Sequence, residues 1–106
     1  MGKIYDSAFN YNVVARAENS NIYEGAYSYK IVGRYEDGNI YAGASGYEII
    51  GRYKEGHLYK GAYGYEIIGR YKDGYVYPDA YSYEIIGRYE GGEKTGAAAA
   101  AFLLLL

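Results

Sequence analysis

An 18-residue unit runs five times through this chain, from Ile4 to Gly92, and is followed by a tail, Ala97–Leu106, without one polar side chain. One local rule applied five times sets the architecture, and an apolar tail beside it needs somewhere dry to go. The units are Ile4–Asn21, Ile22–Asn39, Ile40–His57, Leu58–Tyr75 and Val76–Gly92, the last one residue short. The middle ones read roughly Ile-Tyr-x-Gly-Ala-x-x-Tyr-Glu-Ile-Ile-Gly-Arg-Tyr-x-Asp/Glu-Gly-x. At 106 residues the chain makes one domain, residues 1–106, with one core.

Each unit carries its own instructions. Along Tyr29–Glu36, alternation separates Tyr29, Ile31, Gly33 and Tyr35 from Lys30, Val32, Arg34 and Glu36, the period of a strand with one apolar face. Asp37-Gly38 then gives a two-residue hairpin turn, repeated at Glu55-Gly56 and Asp73-Gly74 and more poorly at Asn19-Ser20. A short strand such as Asn39–Ala42 follows, and Gly43–Gly46 breaks the run before the next long strand.

The frame of the repeat predicts closure. The chain begins with a short strand, Ile4-Tyr5, and its last long strand, Tyr83–Glu90, has no short partner after it. Pairing the two completes a fifth hairpin and a shallow antiparallel barrel of ten strands without exposed edges, with Met1-Gly2-Lys3 at a turn that is cut open. Eight strands leave an interior that side chains just fill, so ten leave a lumen. Glycines recur on the inner face at Gly33, Gly51, Gly69 and Gly87, with Ala15 in the first unit. A linker, Glu93–Gly96, and a helix, Ala97–Leu106, are expected to plug that lumen, polyalanine against the glycine girdle and Phe102, Leu103 and Leu104 beyond it. The tail spans only about 15 Å as a helix, half a bilayer's hydrocarbon thickness, so it does not cross a membrane alone.

Composition narrows function. A net charge of −2, with acids and bases interspersed, excludes a dedicated nucleic-acid binder. With no cysteine there is no disulfide, thiol nucleophile or thiolate metal site. The start, Met1–Asp6, has no apolar signal-peptide core, so a cytoplasmic chain is expected, with membrane association through a surface or the tail. His57 follows the Glu55-Gly56 turn and reads as a solvated turn residue with no metal partner by spacing. Glu48, Glu66 and Glu84 recur in register with Arg52, Arg70 and Arg88, a pattern of surface charge pairs rather than acid–base chemistry. The glycines serve turns rather than a phosphate loop. No enzyme activity and no cofactor are expected.

The one polar feature with binding potential is an arginine ladder. Arg16, Arg34, Arg52, Arg70 and Arg88 take one place per unit, and the hairpin register sets Arg34 opposite Tyr41, with Tyr59 and Tyr77 equivalent. A belt of Arg34, Arg52, Arg70, Arg88, Tyr41, Tyr59 and Tyr77 either receives a ligand or stiffens the outer wall through cation–π pairs. Val32, Ile50, Ile68 and Ile86 fall on the face opposite the glycines, an outer apolar band for association with a second copy.

The tandem Ile-Tyr-x-Gly-Ala…Tyr-x-Ile-Ile-Gly-Arg-Tyr-x-Asp-Gly units, with Gly91-Gly92 and Ala97–Leu106 after them, resemble the β-flower proteins over nearly the whole chain. The resemblance implies a shallow symmetric barrel around an apolar helix, similar in outline to the tubby C-terminal domain and phospholipid scramblases, and hence work at lipid. It transfers no functional residue. The first unit departs from the pattern, with Ala15-Arg16-Ala17 for Gly-Arg-Tyr. Three roles are therefore expected to compete: a lipid-associated module, a ring that binds glycans or small molecules, and a self-associating structural module.

Overall fold

The computed structural model describes residues 2–106, so Met1 of the cut turn lies outside the described residues. The short strands are β1 (Gly2–Tyr5), β3 (Asn21–Glu24), β5 (Asn39–Ala42), β7 (His57–Lys60) and β9 (Tyr75–Pro78). The long ones are β2 (Val13–Glu18), β4 (Ile31–Glu36), β6 (Ile49–Lys54) and β8 (Ile67–Lys72), with β10 (Gly87–Glu90) shorter than its counterparts. Helix α1 (Glu93–Leu104) completes the chain's regular structure. The ten strands close in the order β1-β10-β9-β8-β7-β6-β5-β4-β3-β2.

Closure follows from the repeat frame. β1 sits between β2 and β10, with Ile4 opposite Ala15 on one side and Tyr89 on the other. The hairpin turns have positive φ at both centres, +51° at Asp37 and +84° at Gly38, as a type I′ turn requires. Each turn also accepts a backbone hydrogen bond from the next long strand, for example Tyr53 N–H to Gly38 C=O at 2.9 Å. The repeats are thereby linked at their turn ends as well as along their edges. The result is a disc, 34 × 33 × 18 Å.

The simple alternation of the long strands fails at one place in each of β2, β4, β6 and β8. Ile22 pairs with Gly33 but Tyr23 pairs with Ile31, so Val32 is the extra residue of a β-bulge, repeated at Ile50 and Ile68. The bulge exchanges the faces on either side of it. Val32, Ile50, Ile68 and Ile86 are partly buried and pack against the core instead of forming the expected outer apolar band. Tyr29, expected inside, lies in the loop before β4 and is 87% exposed.

Helix α1 fills the lumen but sits differently from the expected plug. The residues expected as a linker, Glu93–Gly96, form its first turn, where Glu93 complements the helix dipole. Four residues coiled into helix advance the chain by about 6 Å, whereas an extended linker covers about 13 Å. The alanines therefore stop short of the girdle. Ala97–Ala101 are fully buried in the deep layer that also holds Ile4, Ile22, Ile40, Leu58 and Val76, all without exposed surface. Leucines meet the glycines instead: a Cβ at Gly87, Gly69, Gly51 or Gly33 would strike the side chain of Leu103, Leu104, Leu105 or Leu106, in that order. Phe102 and Leu103–Leu105 are half-buried, and Leu106 is exposed.

The glycines are not equivalent. At Gly69 the nearest backbone atom to an added Cβ is the Tyr77 carbonyl oxygen, 3.2 Å away, and the flexible end of Leu104 can move. At Gly87 the Tyr5 carbonyl oxygen lies only 2.6 Å away, in the strand pair that closes the barrel. Gly87→Ala should cost about 1–3 kcal/mol, as overpacking usually does, and Gly69→Ala distinctly less. Urea midpoints of the two variants check the order.

Candidate functional site

Two surfaces follow from this frame: the outer wall with its arginines, and the barrel mouth where the leucines emerge. On the wall, each arginine lies over the tyrosine opposite it. The guanidinium carbon is 4.9 Å from the ring centre for Arg34–Tyr41, 5.3 Å for Arg52–Tyr59 and 4.9 Å for Arg70–Tyr77. Arg16–Tyr23 at 5.2 Å and Arg88–Tyr5 at 4.4 Å complete the belt. Tyr5 and Tyr23 were not in the expected set. The signal for them was the repeat itself, since both hold the Tyr41 place in their units.

The arginines are not paired with glutamates. Among the described residues the ion pair is Lys30–Glu24 at 3.7 Å, between exposed groups, and none links Glu48, Glu66 or Glu84 to an arginine. Each guanidinium instead donates to two carbonyl oxygens of the loop that follows its hairpin. Arg16 reaches Gly25 O and Ser28 O at 3.0 and 2.8 Å, and Arg70 reaches Asp79 O and Ser82 O at 3.1 and 2.7 Å. Arg34 does the same with Gly43 and Gly46, Arg52 with Gly61 and Gly64, and Arg88 with Ser7 and Asn10 across the closure. Loop carbonyls win because they are fixed within reach of the buried or half-buried arginines; an exposed glutamate gains little from pairing.

The arginines thus pin five loops, and those loops carry exposed aromatic residues, among them Tyr29, which the alternation had placed on its strand's inner face. Tyr11, Tyr29, Tyr47, Tyr65 and Tyr83 hold one place per loop, and Phe9, Tyr27, Tyr63 and Tyr81 hold another, with Ser45 in the third unit. All nine rings are between 84 and 90% exposed. Four of them, Tyr11, Tyr29, Tyr65 and Tyr83, form the second side of an arginine sandwich at 5.4–6.0 Å. Loop geometry is further fixed at Asp79, which has φ +48° where the three units before it have glycine. Its carboxylate accepts from Tyr81 N–H at 2.8 Å and Ser82 N–H at 2.9 Å, and these two bonds hold its pKa below the ordinary value.

By strand register, these loops stand at the end of the barrel where Leu103–Leu106 meet the glycine girdle, opposite the hairpin turns. At the turn end, a cavity of 780 Å³ is lined by His57, Arg70, Lys72, Asp73, Tyr89 and Glu93 among others, a mixture of charges around the start of α1. His57 opens β7 directly after its turn, with its ring 6.4 Å from that of Tyr59. Among the described residues no three histidine, cysteine or carboxylate side chains converge as a metal would need.

The interior tyrosines give the fold a pH limit. Burial raises the pKa of Tyr35, Tyr71 and Tyr89 above 10.0, most strongly at Tyr71, where the Glu93 charge adds to it. A group with a raised folded pKa contributes stability that is complete below the unfolded value and lost as pH climbs through the folded one. The barrel should therefore resist alkali up to about pH 10 and lose stability progressively above it. Circular dichroism followed together with phenolate absorbance checks this, and Tyr71→Phe should shift the loss to higher pH.

No protein-family model matches this chain, and comparison with curated proteins and with solved structures gives no significant match.

Proposed function

We propose that this chain is a non-enzymatic module of the β-flower type that lies on a membrane surface, with the loop mouth of its barrel facing the lipid. The observation that carries this reading is the set of nine exposed aromatic rings on the loops of the mouth where the leucine end of α1 rises. Tyrosine is enriched at membrane–water interfaces because its ring is apolar and its hydroxyl stays wet. A soluble surface gains nothing from holding so many rings out in water. The strands, at four to six residues, are about half the length that a bilayer-crossing strand needs, and no helix of the described residues is long and apolar enough to cross. Lying in the interface is what such a disc can do.

Charge is not the driver of this contact. Around the loops Asp6, Glu24, Glu48, Glu66, Asp79 and Glu84 nearly balance Lys30, Lys60 and the five arginines of the belt. The chain is therefore expected to float with pure phosphatidylcholine vesicles, with only modest gain from phosphatidylserine and modest loss in salt. Replacing Phe9, Tyr27, Tyr63 and Tyr81 by serine should weaken partitioning by roughly 10²–10³-fold, at about 1 kcal/mol per partly inserted ring. Absence of binding to vesicles of either composition removes the reading.

A further inference from the structure

The outer wall carries clefts beside the arginines that borrow some of their lining from the exposed loop tyrosines of the mouth. Between a loop and the hairpin wall lie open clefts of 530 Å³ at Arg16, 580 Å³ at Arg52 and 430 Å³ at Arg70. In these three repeats the loop tyrosine, Tyr29, Tyr65 or Tyr83, is stacked at 5.9–6.0 Å from its arginine, as Tyr11 is at 5.4 Å from Arg88. We infer that each of these clefts is a weak site for a pyranose ring, so that the disc holds a repetitive glycan through three contacts built on the same arginine–tyrosine pair.

The chemistry of the clefts points to a sugar rather than to an ion or an apolar ligand. The loop tyrosine is 87–88% exposed, and its arginine side is held by the guanidinium and by that guanidinium's two bonds to the loop backbone. A flat ring fixed in this way is a preorganised platform, and the C–H face of a pyranose stacks on such a platform with little ordering cost. Each cleft also has two bases and one acid: Lys3 and Arg16 with Glu18, Arg52 and Lys54 with Asp37, Arg70 and Lys72 with Asp73. That set offers donors and an acceptor at once, which matches hydroxyls that both accept and donate. A phosphate would face the carboxylate, and a hydrocarbon would desolvate three charges without partners. Repetition supplies the last argument. The arginine–tyrosine platform recurs in all three clefts, while their other charged groups come from different repeat positions, and linked weak contacts to a ligand that repeats one unit multiply into useful affinity.

The proposal stands apart from the membrane reading, because a soluble polysaccharide contains no lipid. Native electrophoresis through gels containing a neutral β-glucan, a galactomannan or polygalacturonate tests it. The full chain should be retarded in at least one gel, and high concentrations of the matching monosaccharide should release it. Tyr29→Ala, Tyr65→Ala and Tyr83→Ala together should abolish retardation while circular dichroism stays unchanged, and any one alone should weaken it by tenfold or more. If only phosphatidylcholine vesicles doped with a glycosylated lipid are bound more tightly than undoped ones, and the triple variant removes the difference, the pyranose belongs to a lipid headgroup and the site stands. Migration unaffected by every polysaccharide, with no preference for the glycolipid, overturns it. So does retardation by polygalacturonate alone that salt abolishes and the triple variant retains, since that is ion exchange.

Discussion

Removal of Ala97–Leu106 should leave a chain that no longer folds cooperatively. Five alanines of α1 have no exposed surface, and burying their methyls is worth about 0.8 kcal/mol each, or about 4 kcal/mol together. The half-buried Phe102 and Leu103–Leu105 add roughly 1 kcal/mol apiece. The sum, about 8 kcal/mol, matches the whole margin of a typical small domain, about 5–15 kcal/mol. It also leaves Ile4, Ile22, Ile40, Leu58 and Val76 lining a void, to which any surviving barrel must adapt. The expected readout is loss of the cooperative melt and a collapsed, dye-binding state. A truncated chain that melts like the full one would mean that the barrel stands without its helix. Ala99→Asp should reproduce the loss, because this residue is fully buried, whereas a polar extension after the exposed Leu106 should be tolerated.

Deleting residues 2–6 should convert a closed barrel into an aggregating chain. β1 is bonded on both sides, so its loss exposes β2 and β10 as unpaired edges at once. It also removes Ile4, fully buried, and Tyr5, 4% exposed and stacked with Arg88, together worth on the order of 3–6 kcal/mol. Size-exclusion chromatography should show high-mass species that the intact chain does not form. Their loss on adding a synthetic peptide of residues 1–6 would show that strand pairing, rather than any wider damage, is what was lost.

Much of this molecule was legible in the chain because its determinants are local. Asp37-Gly38 and its equivalents demand two positive φ values whatever surrounds them, and the turn dihedrals agree. The complementary ends, Ile4-Tyr5 and the strand through Glu90, left only one way to finish the ring. The Arg34–Tyr41 pairing followed from turn length alone, since a two-residue loop fixes the register.

What the sequence left open depends on contacts between distant residues. A pattern of period two cannot announce a bulge, because the extra residue at Val32 is set by where Ile31 meets Tyr23 on the neighbouring strand. That single residue turns Val32 inward and leaves Tyr29 on a loop, and so adds to the aromatic crown. Nor does an apolar tail state how deep it enters. Helix α1 takes up Glu93–Gly96, and this sets leucines rather than alanines against Gly33, Gly51, Gly69 and Gly87. The partner of each arginine was open too: glutamates and loop carbonyls were both in range along the chain, and only the folded loop holds its carbonyls still. The repeat by itself determined the number of strands, their turns, their closure and the need for a plug, since each rests on torsional preference or on apolar surface that must be covered. Only the tertiary structure decided which rings face water and which groups the arginines hold, because those outcomes follow from register and depth, which are properties of pairs of segments.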